Sequence, residues 1–398
     1  MPCNPDLYPI DFPASIGRGS DAIALRLSLA QRTAEAIAIS ILQNQRTYGY
    51  DIALLQESIS GGSNSLMPLT IVSGASLKAP QLKGSRGYWG GGADTPTQYP
   101  MKQIERFTFA DKALSRLGFE FANSRILVGT FASKTNGYWF GGQTGDVDRV
   151  TFSGEIFTKV GAVINPNHNL QAVGLTSKTA GYALGGCLNT LGYYGNTSAS
   201  TAISKLAFAN DAISLLAAQL PAEVWAATGV SSVAAGYVAG GNNGLFLTRS
   251  SITKFTYASE SCATLGTTLF NSFRNAAALN NDQAGYLVAG LSGTGYYSIG
   301  AVNNSASPAL RTIQKINYAN EALSLLGAGY SFGHWGTSGL SNNLFGYTAG
   351  PFLFDGGISI NTIHEFDFTA ESLSLLGVVL SQAKSPLSTG VSDYSPGA

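Results

Sequence analysis

Charge is scarce in this chain of 398 residues, at 12% Asp, Glu, Lys and Arg, about half the ~25% of an ordinary soluble domain. Lysine plus arginine and aspartate plus glutamate balance at 23 each, so no net field gathers phosphates, and nucleic acid is not an expected partner. Cysteine is scarcer still: Cys3, Cys187 and Cys262 are odd in number, far apart and without CxxC spacing. Neither a disulfide framework nor a zinc site is indicated, and the three read as buried small apolar side chains. The three histidines, His168, His334 and His364, show no HxH or HExxH spacing, so no metal centre or cofactor is expected. GxSxG and P-loop patterns are missing too, and no enzyme is expected. Runs of 18 apolar residues are lacking, which argues against membrane insertion. The opening Met1-Pro2-Cys3-Asn4-Pro5 shows no basic region followed by an apolar stretch, so no secretion signal is expected.

What the chain does have is glycine, 48 of them, amid much Ser, Thr and Asn, the composition of turn-rich β-structure. The glycines recur in a pattern. Gly-Tyr, two or so variable residues and then Gly appear at Gly87-Tyr88, Gly137-Tyr138, Gly181-Tyr182, Gly236-Tyr237, Gly285-Tyr286 and Gly346-Tyr347, spaced by 50, 44, 55, 49 and 61 residues. This spacing is the size of one four-stranded propeller blade.

A second motif follows each copy: IERFTFADKALSRLG from Ile104, ISKLAFANDAISLL from Ile203, ITKFTYASESCATLG from Ile252, IQKINYANEALSLLG from Ile313 and IHEFDFTAESLSLLG from Ile363, with a degenerate copy over Val147 to Gly161. Period-two apolar positions, a polar turn and a second short apolar run predict a β-hairpin. A helix competes for ADKALSRLG, but the preceding aromatic strand and the shortness of the run favour the hairpin. Asp111, Glu260, Glu321 and Glu371 read as one recurring turn position with exposed tips rather than as a catalytic pair. The repeated Tyr reads as a wedge between blades, and the glycine pair as the place where crowded backbone must approach or turn.

These two motifs resemble the kelch-repeat family, over roughly Pro68 to the C-terminus, with Leu-Gly where that family often has a fourth-strand Trp. The resemblance implies an all-β, six-bladed propeller. Copper-oxidase chemistry, found on some propellers of this kind, lacks its ligands in this spacing. Blade one has no good first strand, since Ala79 to Lys83 matches poorly, whereas Leu387 to Asp393 copies Ala226 to Ser232. The C-terminus is therefore expected to complete blade one and close the ring.

Residues 1–67 are expected to be an oligomerisation or attachment segment and 68–398 the propeller. Ile23, Leu27, Ala30, Ala34, Ile37 and Ile41 alternate four and three apart and predict a small helical segment over about 21–46, a short heptad seam that would self-associate, with a trimer favoured. Alternation at Ile23, Leu25, Leu27 and Leu29 offers a strand instead. Ser58 to Ser65 reads as a linker. Loops after the glycine pairs vary in length and carry Tyr193, Tyr194, Phe246, Tyr296, Tyr297, Phe352 and Phe354, aromatics set among Gly, Ser and Asn, as in surfaces that bind carbohydrate or protein. The whole resembles phage tail-fibre and virion adhesion proteins, extracellular once released; a bacterial extracellular lectin-like or scaffold propeller is the alternative and a propeller enzyme the third reading.

Overall fold

The structure, a computed structural model, describes residues 82–93, 100–168, 170–189, 197–243, 247–293, 309–350, 352–353, 358–382 and 388–394, together with two short strands nearer the N-terminus. The chain divides into residues 1–81 and 82–398. In the first unit Ala24–Leu25 pairs antiparallel with Leu69–Thr70. Within the span expected to be helical these two residues thus follow the period-two reading. The rest of that span, with Ile23, Leu27, Ala30, Ala34, Ile37 and Ile41, lies outside the described residues.

The second unit is an all-β, six-bladed propeller. Each blade is a four-stranded antiparallel sheet. From the axis outward, blade 2 runs Val128–Ala132, Asn136–Gly141, Val147–Thr151 and Ile156–Val160, and blades 3 to 6 repeat that order from Val173–Thr176, Thr228–Ser231, Ala277–Asn280 and Ser338–Ser341. Blade 1 takes its innermost strand, Ser388–Ser392, from the C-terminus and pairs it with Arg86–Gly91, Tyr88 opposite Val391. The expected ring closure is present. The second motif folds as third strand, tight turn and outer strand, as in Ile203–Ala207 against Ala212–Leu215.

At the axis, adjacent blades approach so closely that a side chain would collide. A Cβ on Gly174 would stand 1.8 Å from the Thr130 carbonyl oxygen, and one on Gly390 2.3 Å from that of Gly339. The glycine pair of the repeat does the other expected job. Gly185 and Gly186, at φ 64° and 89°, turn the chain out of the second strand in a conformation that costs an L side chain about 1 kcal/mol or more.

Six seams hold the blades together, and each repeats one device. The repeat tyrosine of one blade lies parallel to the aromatic that directly follows the third strand of the next: Tyr88 on Phe152, Tyr138 on Phe208, Tyr182 on Tyr257, Tyr237 on Tyr318, Tyr286 on Phe368 and Tyr347 on Phe109. The six rings are at most 2% exposed, so the wedge reading is correct. Beside each stack, at five seams, a third-strand cation of one blade meets an acid at the outer-hairpin turn of the next. These pairs are Arg106–Glu155, Arg149–Asp211, Lys205–Glu260, Lys254–Glu321 and Lys315–Glu371. Tyr88, Tyr138, Tyr182 and Tyr237 donate to the same carboxylates.

The turn acids therefore do more than shape hairpin tips. Glu155, Asp211, Glu260, Glu321 and Glu371 all sit at φ between 47° and 57°, a left-handed conformation that non-glycine residues seldom adopt. Their side chains reach the neighbouring blade. Asp111 does not belong with them: it is one residue earlier in its turn and accepts a hydrogen bond from the Ala113 amide at 3.1 Å. The equivalent position in blade 1 is Lys112, also left-handed at φ 54°, and it pairs at 2.8 Å with Glu365 on the third strand of blade 6. At the seam that closes the ring, the ion pair is reversed.

Candidate binding face

Because every second strand ends in its glycine turn at the same side of the disc, all six loops between second and third strands emerge on one face. They are unequal. Blade 2 spans 142–146, whereas blade 5 spans 289–311 and blade 6 spans 350–361. Blade 3 builds its loop into an extra hairpin, Cys187–Asn189 against Thr197–Ala199. Blade 6 adds a three-stranded sheet, in which His334–Trp335 pairs with Phe352–Leu353 and that strand with Ile358–Ser359.

Under these loops the described residues are tied together by buried polar contacts. Arg125, fully buried, sets Nη2 2.7 Å from Asp148 and donates Nη1 to the carbonyls of Gly141 and Asp146, each at 2.9 Å, which fixes the short loop of blade 2. Trp225 Nε1 donates to the Asn243 carbonyl at 3.0 Å and anchors the loop of blade 4. At the centre, the residues that enter the innermost strands are left-handed: Leu127, Gln171, Ala226, Asn275 and Gly336. Their backbones link in sequence round the axis, each amide donating to the previous carbonyl at 2.8–3.0 Å, from Gly336 through Asn275, Ala226 and Gln171 to Leu127. Gln171 Nε2 crosses to Asn275 Oδ1 at 3.0 Å. Among the described residues these contacts, drawn from five of the six blades, form a stopper across the axis on the loop side.

The histidines, isolated in sequence, are not all isolated in space. His334 and His364 come within 5.7 Å between ring centres, and Tyr330 touches both at 4.2 and 4.9 Å. Burial, then the neighbouring His364, lowers the His334 pKa to about 4, and burial lowers that of His364. Both rings are neutral near pH 7. The sequence signal was present in the repeat: His364 occupies a third-strand position opposite Thr348, and Thr348 shares a hydrogen bond with the Tyr330 hydroxyl. His168 is a satisfied core residue, with Nδ1 2.6 Å from the Gly185 carbonyl oxygen and Nε2 3.1 Å from Ser204 Oγ. Burial pushes the Cys187 and Cys262 thiols up to about 12 and 11, so neither is a ready nucleophile. Among the described residues no three of His, Cys, Asp and Glu group as metal ligands.

Of the seven loop aromatics, Phe352 belongs to the added sheet, its backbone opposite Trp335. Tyr193, Tyr194, Phe246, Tyr296, Tyr297 and Phe354 lie outside the described residues. Trp225, Trp335, Tyr330 and His334 were not singled out from sequence, since they sit in connections between blades, where the repeat gives no fixed position; His364 lies on a repeat strand but meets its partners only in the folded ring.

The fold so defined is a kelch-like six-bladed β-propeller. Among solved structures it is similar to that titled "Structure of YjhT", with a TM-score of 0.53 at 14% identity, covering 66% of this chain and 86% of that one. No family profile and no curated protein sequence matches the chain.

Proposed function

We propose that this chain is a non-catalytic structural and binding component of a phage virion, a tail-fibre or receptor-binding protein whose loop face engages host-surface glycan or a partner virion protein. The observation that carries this reading is the gathering of six unequal loops on one face of a stoppered ring. Variable loops on a rigid scaffold are where recognition is placed, and flat aromatics among small polar residues stack on sugars at little entropic cost. The low charge suits an exposed particle surface, and residues 1–67 would join copies of the chain or dock it to the particle.

The test is a glycan array and host-cell pull-down with the full chain and with Tyr296→Ala combined with Tyr297→Ala. Loss of signal with an unchanged melting curve is the expected result; retention of full binding overturns the loop-face assignment. Labelling of purified virions with antibody to residues 82–398 tests the location, and a particle without label overturns it. A trimer that becomes monomeric on removal of residues 1–67 is the expected behaviour of the N-terminal segment.

A further inference from the structure

The axis holds a space of about 210 Å³ lined by all six innermost strands. Its lining starts one residue beyond the left-handed stopper, at Ala172, Ala227, Ala276 and Thr337, and ends at Thr176, Ser231, Asn280, Ser341 and Ser392. Bounded on the loop side, among the described residues, by the stopper, the space is a cup directed toward the opposite face. At that face Tyr394 also lines it and reaches past blade 6 to donate to Asp282 Oδ1 in blade 5 at 2.9 Å.

The chemistry of the wall follows from strand pairing. In each blade the hairpin-closing bond, such as Ser177 amide to Ala180 carbonyl or Ser232 amide to Ala235 carbonyl, fixes which residues of the innermost strand pair inward to the sheet. The alternate residues turn both N–H and C=O to the axis. At one end these edge amides are satisfied, since Ala132, Thr176, Ser231 and Asn280 donate to Thr176 Oγ1, Ser231 Oγ, Asn280 Oδ1 and Ser341 Oγ of the next blade at 3.0–3.2 Å. One level deeper lie Thr130, Gly174, Gly229, Ala278, Gly339 and Gly390, whose edge groups face the cup. Of these, the Gly390 carbonyl accepts from Thr130 Oγ1 at 3.0 Å. Thr337 and Ser338 add hydroxyls that are buried, without a protein partner, and part of the same wall.

Among the described residues no charged side chain lines the cup. Buried N–H and C=O groups require partners, and a ring that alternates donors with acceptors matches a molecule that offers both, whereas a bare cation or anion satisfies only half. The volume falls below the ~300–1,000 Å³ of drug-sized sites, and small residues let a ligand approach the backbone. We propose that the axial cup is a binding site for a small uncharged polyhydroxyl ligand, no larger than a single neutral sugar ring, held by edge backbone groups and the Thr337 and Ser338 hydroxyls with Tyr394 at its mouth. It is independent of the loop-face reading and lies on the other side of the stopper.

Calorimetric titration of the full chain with glycerol, galactose, N-acetylglucosamine and glucuronate tests this. The expected result is saturable binding of at least one neutral compound, at least tenfold weaker binding of glucuronate, and at least a tenfold loss in Ser338→Val, whose side chain fills the cup and makes no hydrogen bond to lose. Thr337→Val, nearly isosteric, provides the same reading if Ser338→Val does not fold. Absence of saturable binding by every neutral compound at tens of millimolar overturns the proposal. So does binding that survives both variants, or that disappears only in the Tyr296→Ala, Tyr297→Ala protein, which would place the sugar on the loop face.

Discussion

Five seams of this propeller are made by consecutive blades, and the sixth joins two blades that are far apart in sequence. All six share the tyrosine stack, worth about 0.5–1.5 kcal/mol beyond simple burial, so apolar packing alone does not tell the closing seam from the rest. What tells it apart is polar. Its ion pair runs from Glu365 to Lys112 instead of cation to acid, and beside it blade 1 is fastened within its own sheet and to blade 5. Asp393 accepts from the Ser85 amide and hydroxyl at 2.8 and 2.6 Å and from the Arg86 amide at 3.1 Å, while Lys83 Nζ joins Tyr394 on Asp282. A ring of near-identical blades faces the problem that any outer face fits any inner one, and a reversed charge pair gives the ends a preference for each other.

The greatest test of the comparison is removal of the closing strand. Truncation before Ser388 exposes the edge of Arg86–Gly91 and the Tyr347–Phe109 seam, and the cooperative thermal transition seen by circular dichroism should be lost. A truncated chain that melts as the full one does would show that the ring does not depend on closure. Next in size is the crowding at the axis, which is as severe at the closing junction as elsewhere. Gly390→Ala and Gly174→Ala should each cost roughly 3 kcal/mol or more, as overpacking against immobile backbone does. Gly266→Ala, with open space around it, is the control and should be within about 0.5 kcal/mol of the parent.

How much of this was legible beforehand depends on which interactions repeat. The tyrosine wedge, the hairpins and the C-terminal strand followed from spacing, because each is a local pattern recurring at blade length. The turn acids were assigned to one position, and their function was not seen: a residue one step along, Lys112 rather than Asp111, occupies the left-handed site, and a pairing between blades leaves no local trace. The axial ring was half visible. Ala226 to Ser232 and Leu387 to Asp393 were matched as sequence, yet the edge groups that face the axis emerge only once six strands surround it. His334 and His364 lie 30 residues apart in numbering and meet through blade register, which a motif search by short spacing does not detect.

Acid should separate the seams again. His168 and His334 are held neutral with pKa values near 4, against an unfolded value of about 6.5. Their contribution is intact above pH 6.5 and is lost progressively as pH falls toward 4, by up to about 3 kcal/mol each. Neither residue lies in blade 1. Hydrogen exchange at pH 5 compared with pH 7 should therefore show blades 3 and 6 opening more readily near Gly185 and His334, while the pairing of Gly87 with Ser392 changes less. Uniform loosening of all six blades would contradict this.

The smallest effect bears most directly on the reversed pair. Glu365 is mostly buried, with 11% of its side chain exposed, and Lys112 is more open at 43%, so screening by solvent keeps the interaction to about 1 kcal/mol. Lys112→Glu places two carboxylates at the closing seam and should cost about that much in urea unfolding, as should Glu365→Lys. The two together recreate the polarity of the other five seams and should recover most of the loss, since the cation and acid have only changed sides. The informative measurement is the oligomeric state of the double variant. With all six seams alike, blade 6 of one chain is as well matched to another chain's inner blades as to its own blade 1, and strand-exchanged dimers should rise at high protein concentration. A double variant as stable and as monomeric as the single-chain ring would mean that Asp393 and Tyr394 alone select the closing partner.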